Sequence, residues 1–169
     1  METVDLGKQL AQQRIKAKAA LAKKGLELPS KPAYALPKLR SDLTDLDDHA
    51  IMQYLARFTR FQDHLAGELA LAEIDESAAV NILEIAKARH MAGNWTGPSS
   101  DRVAISKANA TLDEDVQAAE QQVEACKAKR KMYGVLVESL ARDAGVVSRE
   151  LSRRIGNQPT ERRLNRHSA

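Results

Sequence analysis

Between Val116 and Leu151 an apolar or small residue returns at alternating steps of three and four. The run is Val116, Ala119, Val123, Cys126, Arg130, Tyr133, Val137, Leu140, Ala144, Val147 and Leu151, with Ile155 one turn beyond. Arg130 is its only charged member. A repeat averaging 3.5 residues keeps one narrow seam turned toward a neighbouring helix, the pattern of a coiled coil. At about 1.5 Å per residue such a helix reaches roughly 60 Å. A chain built around it folds as a long helix with one adhesive edge. In this register Arg130 has to reach an acid on the neighbouring helix or the edge of the assembly.

Composition agrees with that architecture. Aromatic residues make up 4% of the 169-residue chain and charged residues 29%. Long helices that bury one stripe need few large rings, whereas a compact globule of this length uses more. Nowhere do β-branched or aromatic residues alternate with polar ones over a useful length, so no strand is expected.

A second long helix is predicted from about Asp45 to about Ala92. Thr44 offers a capping hydroxyl, and Asp45, Asp47 and Asp48 crowd the positive end of the helix dipole. Leu55, Phe58, Leu65, Leu69, Ala72, Ala79, Ile82 and Ala86 share one face, which Ile51, Phe61, Ile74 and Ile85 widen. A stripe that broad faces more than one neighbour. Gly67 inside it costs up to about 1 kcal/mol relative to Ala, which a close helix contact would excuse. Gly93, Asn94, Gly97 and Pro98 end the helix, and Thr111 or Asp113 caps the seam helix that follows.

The expected organisation is a basic N-terminal helix in residues 1–27, a proline-rich linker over 28–43, and a two-helix hairpin over 44–156. The hairpin has a central loop at 93–112, and a basic tail occupies 157–169. The N-terminal helix has a thin stripe (Leu6, Leu10, Ala17, Leu21) and is marginal without a partner. Pro29, Pro32 and Pro37 make the next segment extended. The fold class is all-α, a long antiparallel hairpin or coiled-coil-like bundle.

Charge alternates along the chain, with a net +3 overall: +6 over residues 1–40, −8 over 41–86, +3 over 87–112, −2 over 113–141 and +4 over 142–169. Two readings are open. Alternation can serve solubility and helix-to-helix pairing, or the positive segments can meet an anion.

Several classes of function are not expected. One cysteine, Cys126, gives no disulfide framework and no cysteine-rich metal site. It falls on the seam and reads as a small hydrophobe. His49, His64, His90 and His167 lack metal-ligand spacing, no glycine-rich phosphate loop occurs, and no serine has a base at a telling distance. Neither an enzyme nor a cofactor or metal is expected. No stretch approaches the roughly 20 apolar residues that span a bilayer, and the N-terminus lacks the apolar run of a secretory signal. A soluble, cytoplasmic protein with no membrane partner is the expectation.

Two cationic clusters remain. Lys87, Arg89 and His90 close the first long helix, Arg102 and Lys107 lie in the central connection, and Trp95 sits between them. Cations that contact phosphates beside an indole that stacks on a base suit single-stranded nucleic acid without sequence choice. Equally, Lys87 and Arg89 could satisfy terminal carbonyls while Trp95 packs on the helices. The secondary site is Arg149, Arg153 and Arg154, which could instead be a solvated helix end.

Short strings in a fixed order add to this. Ile85-Ala86-Lys87-Ala88-Arg89 closes the first long helix, and a polar stretch leads to Thr111-Leu112-Asp113-Glu114-Asp115-Val116. Tyr133-Gly134-Val135-Leu136 and Ser148-Arg149-Glu150 follow. Over residues 45–155 this plan resembles the UvsY-like phage recombination mediators. The resemblance implies a small, helical homo-oligomer that binds single-stranded DNA and helps load a recombinase past a single-strand-binding protein. It makes Lys87 and Arg89 the DNA-contacting pair. His90 and Met91 stand where that family has aromatics, so stacking would fall to Trp95.

Self-association is expected through the seam residues Val116, Val123, Tyr133, Val137, Leu140, Val147 and Leu151, since two long seams cannot fully bury each other in one pair. The rival is a phage structural protein, a capsid assembly or scaffolding factor acting through helix–helix contact. A terminase-type packaging protein is disfavoured because residues 4–24 and the prolines after them lack a helix-turn-helix.

Overall fold

Asp47, rather than Thr44, starts the first long helix. The Thr44 amide and hydroxyl both donate to Asp42 Oδ1, at 2.8 and 2.6 Å, which closes a local turn before the helix. Asp47 Oδ1 then accepts the Ala50 N–H at 2.6 Å, and its carbonyl accepts Ile51 N–H at 3.0 Å. That is an N-cap bond to the third helical residue. The helix therefore starts about one turn later than expected, because Asp42 competes for Thr44.

The structure, a computed structural model, describes residues 6–93 and 102–157, without the side chains of Leu6, Lys107 and Asn157. The described residues form an all-α chain: α1 (Leu6–Ala22), α2 (Asp48–Gly93), α3 (Arg102–Ala110) and α4 (Glu114–Asn157), with no strand among them. The basic tail read at 157–169 lies almost wholly outside these residues. The chain divides into two compact units, Met1–Leu28 with Ala66–Val135, and Pro29–Leu65 with Leu136–Ala169.

In the first unit the later half of α2 packs antiparallel to the earlier half of α4, with α1 laid against them. Leu10, Ala79, Val123 and Cys126 form its buried cluster, with Ala78, Ile82 and Leu83 at the margin. Ala72, Ala79 and Ala119 are 0%, 1% and 2% exposed, and Gly67 is buried. Small residues at buried helix positions leave room for a neighbouring helix. Helix α1 ends in a Schellman turn: Leu26 N–H reaches the Leu21 carbonyl at 3.1 Å and Gly25 N–H the Ala22 carbonyl at 3.0 Å. Gly25 takes φ +71°, the left-handed conformation this motif needs.

The central connection differs from the loop expected over 93–112. Its second half is α3, a nine-residue helix that buries Ser106 and Ala110 while leaving Val103 and Ile105 exposed. Because small residues face inward and larger apolar ones outward, hydrophobic periodicity does not announce it. Asp113 then caps α4, accepting Val116 N–H at 3.0 Å.

In the second unit the earlier half of α2 packs antiparallel to the later half of α4. Leu43, Ile51, Phe58, Phe61, Leu140 and Val147 form its core, bordered by Tyr34, Tyr54 and Leu151 among others. Both phenylalanines and two of the three tyrosines gather here, in edge-on pairs: Tyr34 with Phe61 at 5.5 Å and Tyr54 with Phe58 at 5.0 Å. The proline-rich segment, read as a linker, is indeed non-helical but is docked as a strap. Tyr54 Oη donates to the Lys38 carbonyl, and His64 Nδ1 lies 3.0 Å from the Pro29 carbonyl, so that ring nitrogen carries the proton.

Candidate nucleic-acid interface

The last turns of α2 carry Lys87, Arg89 and His90. On a helix, residues three apart share a face while residues two apart do not. Lys87 and His90 accordingly turn together toward α4. Lys87 Nζ meets Glu120 Oε1 at 2.8 Å, and His90 Nδ1 meets Asp113 Oδ2 at 3.0 Å. Arg89 is exposed and makes no ion pair among the described residues. The two cations expected to act as a pair are thus presented on different faces.

His90 is the fastener of this region. Its side chain is only 12% exposed, and its partner is the residue that caps α4. The Val116 amide and then His90 hold the Asp113 carboxyl below the usual carboxylate range. One carboxylate thereby closes the start of α4 and ties it to the end of α2. The pair of Lys87 and Glu120 is different: both side chains are about two-fifths exposed. Such surface pairs contribute about 0–1 kcal/mol, so a phosphate can replace Glu120 at small cost.

Arg102 opens α3 and is half-buried, and Lys107 lies in the same helix with its side chain outside the description. Trp95, expected to stack on bases, lies outside the described residues.

The secondary cluster separates into distinct roles. Arg149 is exposed. Arg153 holds Glu150 with two bonds of 2.8 and 2.7 Å. Arg154 serves the fold: its Nη2 donates to the carbonyls of Leu43 at 2.8 Å and Thr44 at 3.2 Å, its Nη1 to that of Leu46, and it also reaches Asp48 and Glu150. With Arg153 first and Arg154 second, these cations lower the Glu150 carboxyl to about 2. A residue read as a surface contact is a clamp on the turn preceding α2. Antiparallel pairing sets the arginines ending α4 against the aspartates starting α2, and that charge match was the available signal.

The seam lies inside the chain. Val116, Ala119, Val123, Cys126, Leu140 and Val147 are each at most 5% exposed, Tyr133, Val137 and Leu151 are half-buried, and Ile155 is 62% exposed. Arg130 is exposed at the seam's edge, with its Nε on Glu76 of α2, the acid its position demanded. Val116, Val123, Leu140 and Val147 have almost no area left for a second copy. Other apolar area remains in the first unit, where Ala125, Ala128, Met132 and Val135 follow at steps of three and four, all exposed.

Among the described residues no group of three His, Cys, Asp or Glu side chains could hold a metal ion, and no helix is long and apolar enough to cross a membrane. Comparison with protein-family models, curated proteins and solved structures finds no match to this chain.

Proposed function

We propose that this chain is a non-catalytic, single-stranded-DNA-binding recombination mediator of phage type. It would act as a homo-oligomer in the cytoplasm of a bacterial host, beside a recombinase and a single-strand-binding protein. The observation that carries this reading is the bond between His90 and Asp113. His90 directly follows Ile85–Arg89 and Asp113 lies in Thr111–Val116, so the bond holds together two of the strings that resemble the family. Arg89, exposed and without an ion pair among the described residues, and Lys87, in an exchangeable surface pair, stand on the turn so fixed. A rigid base for cations that contact the phosphate backbone is what sequence-independent binding requires. Copies joined through the exposed α4 residues Ala125, Ala128, Met132 and Val135 would multiply a weak contact.

The test is an anisotropy titration of a labelled single-stranded oligonucleotide at several salt concentrations. The wild-type chain is expected to bind at low salt and release steeply as salt rises. Each phosphate contact removed lowers the slope of log affinity against log salt by roughly 0.7, so Lys87→Ala/Arg89→Ala should lower it by up to roughly 1.4. Unchanged affinity and slope in that variant would remove the site.

A second reading, a phage assembly or scaffolding protein acting through helix contacts, draws on the same exposed α4 stripe. Assembly that is independent of DNA, with no retention on single-stranded DNA, favours it.

A further inference from the structure

The acidic stretch of residues 41–86 contains two cations, Arg57 and Arg60. Both lie on α2, three residues apart, and both are exposed. His64, four residues after Arg60, takes the Pro29 end of the strap, and Tyr54, three before Arg57, takes the Lys38 end. The strap therefore runs antiparallel to α2 along the face that carries the two arginines. Nine residues fully extended would reach roughly 30 Å, and the ten-residue helical span beneath covers roughly 15 Å. The strap must bend, and it does so at Ala33 and Tyr34.

At that bend the Arg57 guanidinium lies over the Tyr34 ring, 5.4 Å from its centroid, and Tyr34 is itself held edge-on by Phe61. A cation over a ring face is attracted by the ring's quadrupole while its N–H groups can still donate to another partner. Neither Arg57 nor Arg60 makes an ion pair among the described residues, although Asp63 follows Arg60 by three. On the strap, Lys31, Lys38 and Arg40 are exposed and equally unpaired. Five cations thus border one docked strap with no ion pair among the described residues, and prolines at 29, 32 and 37 reduce the conformational freedom still to be lost on binding.

We propose that the strap and the α2 face beneath it are a second contact for single-stranded DNA. In it Arg57 and Arg60, with Lys31, Lys38 and Arg40, hold the sugar–phosphate backbone. The inference rests on the reading of the chain as a single-strand binder. It favours nucleic acid because a guanidinium held over a ring can give two N–H bonds to phosphate oxygens and a row of cations matches a polymer of phosphates.

Labelled oligo-dT is titrated at several salt concentrations with three full-length variants: Arg57→Gln/Arg60→Gln, Lys31→Gln/Lys38→Gln/Arg40→Gln, and Lys87→Ala/Arg89→Ala. The strap triple variant breaks no side-chain hydrogen bond or ion pair among the described residues, so it guards against misfolding at Arg57, and circular dichroism should show wild-type helicity. At roughly 0.7 per contact, the arginine pair should lower the salt slope by roughly 1.4 and the strap triple by roughly 2. Affinity at 0.1 M salt should fall on the order of tenfold or more.

Wild-type slopes in both strap variants would overturn the inference. If Lys87→Ala/Arg89→Ala alone then loses binding, the proposed function survives without this site. No salt-dependent binding by the wild-type chain removes both. Strap variants that lose polyglutamate binding yet keep oligo-dT affinity would make the strap a dock for an acidic protein and overturn the DNA assignment.

Discussion

Arg14 of α1 holds Asp75 of α2 with two bonds, the Nε to Oδ1 bond measuring 2.6 Å, and Asp75 is 5% exposed. Lys129 of α4 approaches the same carboxylate at 3.5 Å. A buried carboxylate thus joins three helices of the first unit, and it explains how a helix with so thin an apolar stripe stays docked. Arg14→Ala leaves that charge with Lys129 alone. Breaking a fully buried pair costs about 3–5 kcal/mol; with Lys129 retained, about 2 kcal/mol is expected. Hydrogen exchange should show α1 losing protection before the rest of the unit. Asp75→Asn should cost less, because Arg14 and Lys129 can turn to water.

Glu150 gives a pH dependence with a defined sign. Its carboxyl is lowered from its ordinary 4.5 to about 2, chiefly by Arg153 and then by Arg154. A depressed carboxylate contributes stability that is complete above its unfolded value and disappears as pH falls through its folded value. Wild type should therefore exceed Glu150→Gln in denaturant midpoint at neutral pH, and the gap should close between about 4.5 and about 2. A gap that stays constant across that window would refute the clamp's electrostatic origin.

Glu120 competes with any phosphate for Lys87, its partner at 2.8 Å. Glu120→Gln removes the competitor without touching a cation. It should tighten oligonucleotide binding at low salt by a few-fold, with the advantage shrinking as salt rises. Weaker binding in this variant would mean that the pair positions Lys87.

Ser106 is fully buried on α3, and its hydroxyl has no hydrogen-bond partner among the described residues. A buried unsatisfied hydroxyl costs about 1–3 kcal/mol. Ser106→Ala should leave the thermal midpoint unchanged or raise it. A fall would reveal a partner for the hydroxyl.

Phe58, at 0% exposure, is the largest fully buried side chain and packs edge-on against Tyr54. Phe58→Ala should cost about 3–5 kcal/mol in equilibrium unfolding. Loss of near-ultraviolet tyrosine dichroism should accompany it.

Much of the helical plan was legible because burial repeats with the helix. The run from Val116 to Val147 gave the seam its face, and Arg130, its one anomaly, found Glu76 as an edge position requires. Helix α3 was hidden because it buries Ser106 and Ala110, side chains too small to mark a period. The site was legible as composition and not as geometry. Lys87 and Arg89 are two positions apart in sequence, and helical rotation gives one to Glu120 and the other to solvent.

The sequence by itself determined that the two long segments are helical and which face of α4 is buried, since these follow from spacing within one segment. Only the tertiary structure decided what each charge does. Arg154 serves the fold, Arg14 anchors α1, and Arg57 lies over the Tyr34 ring of the strap. The physical reason is range: periodicity is a property of neighbours along the chain. An ion pair depends on which distant residues arrive within a few ångströms, 61 positions apart for Arg14 and Asp75 and 111 for Arg154 and Leu43.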